Sequence, residues 1–163
     1  MPVNKTEISN GVNDFVNIYK KKGLIKSEAI GFDQVAKHIE RARKDLRVAK
    51  ANLAIDTEAS YNYAYLAMLR SGRALMFSFG LRPLDGEQHK TVVAFCDFAL
   101  GEKSAELVRR FDRMRKKRNR FTYDEAGLMV SETETAGAFA SAKQFVDKAA
   151  EFIHKKNPQR KLL

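Results

Sequence analysis

Residues 109–124 read RRFDRMRKKRNRFTYD, and the interleaving of apolar and charged residues there decides which kind of fold the chain adopts. Leu107, Phe111 and Met114 recur at spacings of four and three, the period of the buried stripe of an amphipathic helix. The residues around them are mostly basic. From Arg109 to Arg120 there are eight Lys/Arg and one acid, which is +7 of the formal net charge of +10. The next position on the stripe holds Arg118. A guanidinium is costly to bury unless it is paired or faces a cleft or a subunit interface. The position at which an otherwise consistent pattern breaks is therefore the first candidate for function.

Working outward, the same period recurs on both sides. Towards the N-terminus, Asp33 is the expected cap of a helix running to about Ile55, with Val35, Ile39, Ala42, Leu46, Ala49 and Leu53 on its stripe. Lys37, Glu40, Arg41, Arg43, Lys44 and Asp45 are expected to face water. His38 flanks that stripe as a structural or solvated residue. Asp56 and Thr57 cap a second helix that carries Tyr61, Tyr65, Met68, Gly72, Leu75 and Phe79 and stops at Gly80 with Pro83 beyond. Gly72 in mid-helix costs about 1 kcal/mol against Ala, which close approach of a neighbouring helix explains. The tyrosines read as core residues, with a base-stacking platform as the other reading. Asp85-Gly86-Glu87-Gln88 has the form of a capping box opening a helix through Val92, Val93 and Cys96 to Gly101, with His89 in its first turn.

Ser104 is the expected cap of the basic helix, and Tyr123, Asp124 and Gly127 mark its end. Ser131 and Glu134 form a further capping box before a helix with Ala138, Ala142, Phe145, Ala149 and Phe152 at spacings of four and three, ending near Lys155. Residues 1–30 are weakly patterned, with Phe15, Ile18 and Tyr19 on one face of a short helix ending near Gly23 and a connection from Leu24 to Gly31. No strand-like alternation of useful length occurs. The expectation is an all-α, antiparallel four- to five-helix bundle over residues 31–156, with an N-terminal extension at 1–30 and a basic tail at 157–163.

Composition narrows the function classes. The chain is 44% apolar and 31% charged, which is globular. No apolar run approaches the ~18–20 residues that span a bilayer, and MPVNKTEIS has no apolar signal core, so a cytoplasmic protein is expected. The single cysteine, Cys96, lies among Val92, Val93, Phe95 and Phe98 as a buried inert thiol. It excludes an intrachain disulfide and a cysteine-based zinc site. The three histidines are isolated and no phosphate-binding Gly loop is present, so neither metal nor cofactor is expected. The excess of basic residues points to an anionic partner, nucleic acid before membrane.

Three segments resemble the HEPN family of small helical domains found in prokaryotic toxin–antitoxin and nucleotidyltransferase-associated proteins. Ala64-Tyr65-Leu66-Ala67-Met68 with Gly72-Arg73-Ala74-Leu75 is similar to the family's Ala-Tyr-Tyr-Ala-Met run and the helix after it. Leu84 to Lys90 places His89 where many relatives carry a histidine. Arg118-Asn119-Arg120-Phe121-Thr122-Tyr123-Asp124 resembles the family's Arg-Asn motif. The resemblance implies a protein that acts on or binds RNA, as a homodimer that brings two motifs together. In its active form it implies a metal-independent endoribonuclease of a toxin–antitoxin system. By the same resemblance Arg118, Asn119 and Tyr123 are the candidate catalytic residues, with Tyr65, His89 and Asp124 accessory. Arg113, Arg115, Lys116, Lys117 and Arg120 would contact phosphates without reading sequence. The alternative it allows is a non-catalytic helical subunit that partners a nucleotidyltransferase, an antitoxin or another protein.

One departure bears on the chemistry. Active relatives carry a His four to six residues after the Arg, and here Tyr123 stands five residues after Arg118. Metal-free RNA cleavage needs a group to take the 2′ proton, another to protonate the 5′ oxygen and a cation for the phosphorane. Arg118 suits the cation role. A phenol titrating near 10 is a poor base. On a continuous helix Arg118 and Tyr123 lie about 140° apart, so they share a cleft only if the helix loosens before Tyr123. A purely structural alternative has Arg118 in an ion pair with Asp112, Glu106 or an acid on another helix.

Overall fold

The computed structural model describes residues 5–84, 88–124 and 129–158, with the side chains of 5–10 and 124 outside that description. Six helices account for nearly all of it: α1 (Lys5–Lys21), α2 (Phe32–Asn52), α3 (Thr57–Ser78), α4 (Gln88–Leu100), α5 (Ala105–Asn119) and α6 (Glu132–Lys156). A 3-10 turn at Glu102–Ser104 leads into α5, and a π-helical turn at Arg120–Asp124 follows it. The fold is all-α.

Helix α3 is the axis. Its buried residues, among them Tyr61, Ala64, Tyr65, Met68, Leu69, Leu75 and Met76, are distributed around much of its circumference. A helix apolar on so many sides must be surrounded, and α2, α4, α5 and α6 all pack on it. Gly72 is where α4 and α5 come nearest. A Cβ built there would stand 2.8 Å from Val92 Cγ1 and 3.0 Å from Cys96 Sγ, so the expected close approach is real. Phe111 of α5 and Phe145 of α6 close the core, with ring centroids 5.0 Å apart.

Several caps agree with the sequence reading. The Asp56 side chain accepts from Ala59 N–H at 3.0 Å, and Ser131 Oγ accepts from Glu134 N–H at 3.0 Å. Gly101 has the positive φ of 74° that ends a helix cleanly. Other expectations need correction. Helix α2 begins at Phe32 after Gly31, with no side-chain cap from Asp33, and ends at Asn52 rather than Ile55. Ser104 precedes α5 but its side chain makes no capping bond. Asp45 does not face water. It is fully buried and ion-paired with Arg70 of α3 and Arg41, a partnership across helices that a single-helix periodicity does not display.

The N-terminal helix is longer than expected, at 17 residues. Among its described side chains, Val12 and Phe15 are the buried ones, which is too few to show a strong pattern. Phe15 stacks on Tyr19 at 3.9 Å and meets Phe95 at 5.4 Å, fastening α1 to α4. The connection after it contains β1 (Ile25–Ser27), which pairs antiparallel with β2 (Leu81–Pro83) in the register Ile25↔Pro83. Three residues per strand are too few to show alternation. The capping box at 85–87, Gly127 and the end of the basic tail lie outside the described residues. No helix among the described residues is long and apolar enough to cross a membrane.

Candidate anion site around Arg118

Arg118 sits in the last turn of α5, where its charge also complements the helix dipole. It is half-buried at the α3 side of the bundle. Its Nε donates to Asn62 Oδ1 at 3.2 Å and its Nη1 to Asn119 Oδ1 at 3.5 Å. Both acceptors are neutral amides. The guanidinium lies 5.7 Å from the ring centroid of Tyr65 and 5.7 Å from that of Tyr123. The half-buried spot that Arg118 shares with Asn62, Asn119, Tyr65 and Tyr123 is the recess at which the apolar stripe breaks. The acids named as possible partners are engaged elsewhere: Asp112 holds Arg115 and Lys116, and Glu106 holds Arg109, Arg110 and Arg113.

The π-helical turn is what puts Tyr123 beside Arg118. A π turn rotates less per residue than an α turn, so five residues carry Tyr123 back towards the Arg118 side. Phe121 within the turn is buried and packs edge-on to Tyr61 at 5.8 Å, anchoring it. Tyr123 itself is 72% exposed.

Tyr65 of α3, beside Arg118, links this spot to His89 of α4. Tyr65 is fully buried in the core, and so is Tyr61 but for its edge, so neither is a surface platform for bases. The Tyr65 hydroxyl lies 2.8 Å from His89 Nδ1. Next to His89, Gln88 Oε1 accepts from Arg73 Nη2 at 3.4 Å. Burial pushes the His89 imidazole down to about 4, helped by the positive charges of Arg73, Arg118 and Arg115. His89 is therefore neutral at physiological pH. Burial raises the Tyr65 phenol, against the pull of Arg118, Arg115 and Arg73, so it too stays neutral.

Sequence reasoning named Arg118, Asn119, Tyr65, His89 and Tyr123, which converge here, and it missed Asn62 and Arg73. Their signal was present. Asn62 and Arg73 are eleven residues apart, three helical turns, and so share one face of α3. The Asp124 side chain lies outside the described residues.

The other basic candidates do not converge on this recess as a group. Arg115 is largely buried against Asp112 at 2.9 Å, and Lys116 pairs with the same carboxylate at 3.1 Å. Arg113 and Lys117 lie on the far side of α5, where with Arg110, Tyr61 and Ala138 they line a groove of about 540 Å³ between α5 and α6. Lys117 is tied to Glu134 of α6 at 2.6 Å. Arg120 is exposed in the π turn. Among the described residues no three His, Cys, Asp or Glu side chains gather as a metal site would require.

A family model for the HEPN domain matches residues 35–156, which takes in α2 from Val35 onward, α3 to α6 and every residue of the recess. The chain belongs to the HEPN family. The match starts after α1 and β1, so these two elements precede the HEPN domain as matched. HEPN domains are in general RNA-related and nuclease-like, and they often dimerise. No curated protein sequence matches this HEPN protein well enough to add a named relative.

Proposed function

We propose that this HEPN protein binds RNA through a backbone phosphate at Arg118, and that binding rather than cleavage is its activity there. The observation that carries the reading is that Arg118 is half-buried and held by two amide oxygens, Asn62 and Asn119. Its charge is thereby oriented but not neutralised. A planar guanidinium so held grips phosphate oxygens in bidentate fashion. Asn119 positions it, and Tyr123 offers an exposed ring and hydroxyl at the rim. The motif supplies no proton acceptor suited to neutral pH, because a phenol stands where cleavage would need an imidazole. That is why the reading stops at binding.

The reading includes a homodimer. HEPN domains often dimerise, and Tyr123 and Met129, 72% and 84% exposed, are side chains that such an interface would cover.

The test is an assay on RNA with the purified protein in EDTA, with Arg118→Ala and Tyr123→Phe beside it, and sedimentation of the same samples. Expected are no cleavage, RNA bound at low salt and released at high salt, and binding lost in Arg118→Ala. Cleavage by the wild type that disappears in Arg118→Ala would overturn binding as the activity and establish a metal-independent endoribonuclease of the toxin type. Absence of binding at low salt, with stoichiometric capture of a nucleotidyltransferase or antitoxin, would overturn the RNA reading altogether.

A further inference from the structure

His89 stands in the recess, yet the hydrogen bond it makes disqualifies it as the missing base. Tyr65 is fully buried, and its described hydrogen-bond partner is His89 Nδ1 at 2.8 Å. A buried hydroxyl that fails to donate costs about 1–3 kcal/mol. The phenol therefore donates, Nδ1 accepts, and the single proton of the neutral ring resides on Nε2. The lone pair is spent on Tyr65, and what the imidazole has left to offer is an N–H.

The same surroundings hold two guanidinium groups whose described hydrogen bonds go to neutral oxygens: Arg118 to Asn62 and Asn119, and Arg73 to Gln88. They come from different helices, and both act electrostatically on the Tyr65 phenol and the His89 ring. Two cations acting on one neutral, half-buried pair make that place attractive to an anion. We infer that Arg73, His89 and Arg118 form one phosphate clamp, in which Tyr65 fixes the His89 ring so that its Nε2–H is a neutral third donor. The inference rests on the RNA reading for its natural ligand but not for its geometry. The clamp recognises a phosphate group, whether a backbone diester or a terminal monoester.

Neutrality of His89 fits the role. The two arginines already supply the charge, and a neutral donor adds direction without adding repulsion. Arg115 also acts on the ring electrostatically, but its own carboxylate partner, Asp112, occupies it.

The experiment is nitrogen-15 NMR of the histidine rings in the full chain at pH 7, followed by titration with inorganic phosphate. Expected is a neutral His89 protonated at Nε2, with its signals and the Arg118 Nε–H moving together and saturating. Tyr65→Phe, nearly isosteric, should leave the amide spectrum native but mix the two His89 tautomers. Arg73→Gln should weaken phosphate binding at least tenfold, and His89→Ala likewise. An Nδ1-protonated His89 in the wild type, or His89 signals indifferent to phosphate in the folded protein, would overturn the clamp. Two RNA oligonucleotides separate the ligand sources. An oligonucleotide with hydroxyl ends that moves His89 supports clamp and backbone reading together. If only inorganic phosphate and a 5′-phosphorylated oligonucleotide move it, the clamp stands and the backbone reading falls.

Discussion

His89 carries a consequence for stability as well as for binding. Its folded-state pKa of about 4 lies below the ordinary histidine value of 6.5. Between those values the unfolded chain takes up a proton that the folded chain refuses, so stability declines as pH falls from about 6.5 to 4 and is unaffected by this group above that range. The ceiling for one such group is roughly 3 kcal/mol. His38, half-buried against Phe77 at 5.0 Å, is lowered by burial and by Arg73, Arg70 and Arg82, and acts in the same direction. Urea midpoints measured from pH 7 to pH 4 should show a shallower decline in His89→Asn than in wild type; equal slopes would mean that the ring already takes its proton in the folded state. Gly72→Ala is the second prediction at this scale. The added methyl gains about 1 kcal/mol of helix propensity but meets Val92 and Cys96 at 2.8 and 3.0 Å, and overpacking costs about 1–3 kcal/mol. A net loss of about 1 kcal/mol is expected from chemical denaturation, and a gain would mean that α4 moves aside freely. At this scale the sequence was legible where one helix's period was violated, as at Gly72 and Arg118. It was not legible where meaning depends on another helix: Asp45 read as solvent-facing, and Asn62 and Arg73, though they share one face of α3, were not read as site residues, because their partners lie in different segments of the chain.

Between elements, the α2–α3 pair is the most extensive, and the ion pair of buried Asp45 with Arg70 tests how such pairs act. Burial raises the Asp45 carboxyl despite the Arg70 bond and the nearby Arg41, so desolvation outweighs attraction. Asp45→Ala leaves Arg70 without its partner. A dry pair broken in that way loses ~3–5 kcal/mol, but the Arg70 side chain is 27% exposed and water relieves part of this, so a loss of about 2 kcal/mol is expected. Asp45→Leu with Arg70→Met should return to within about 1 kcal/mol of wild type. A double variant as unstable as Asp45→Ala alone would show that the pair stabilises α2 on α3 after all. Helices with a full stripe and a good cap were readable from the sequence alone. The β1–β2 ladder was not, being three residues long. Nor was the π-helical turn, since its anchor is the contact of Phe121 with Tyr61 from α3 and no local pattern encodes it.

For the whole molecule, the question is which of the many cations meet RNA. The excess charge on α5 looks in sequence like a binding face, and three acids change that view. Glu106 engages Arg109, Arg110 and Arg113, Asp112 engages Arg115 and Lys116, and Glu134 engages Lys117. Exposed pairs of this kind are weak and yield to phosphate, so the helix still attracts RNA at a distance. It does so with its charge partly spent. Arg73 and Arg118 have only neutral described acceptors and give more on meeting a phosphate. Salt dependence separates the two contributions, because each phosphate contacted on a single strand adds about −0.7 to the slope of log K against log salt. Binding centred on the recess predicts a slope of about −1 to −2, and binding along α5 about −3 or steeper. Fluorescence anisotropy of a labelled single-stranded RNA across a salt series measures it. Arg118→Gln should weaken binding most and make the slope shallower by roughly one phosphate's share, whereas Lys116→Gln, 66% exposed and already sharing Asp112, should change neither by much. The reverse ranking would move the RNA from the α3–α4–α5 recess onto the outer face of α5, and the phosphate clamp would then serve a ligand other than this strand.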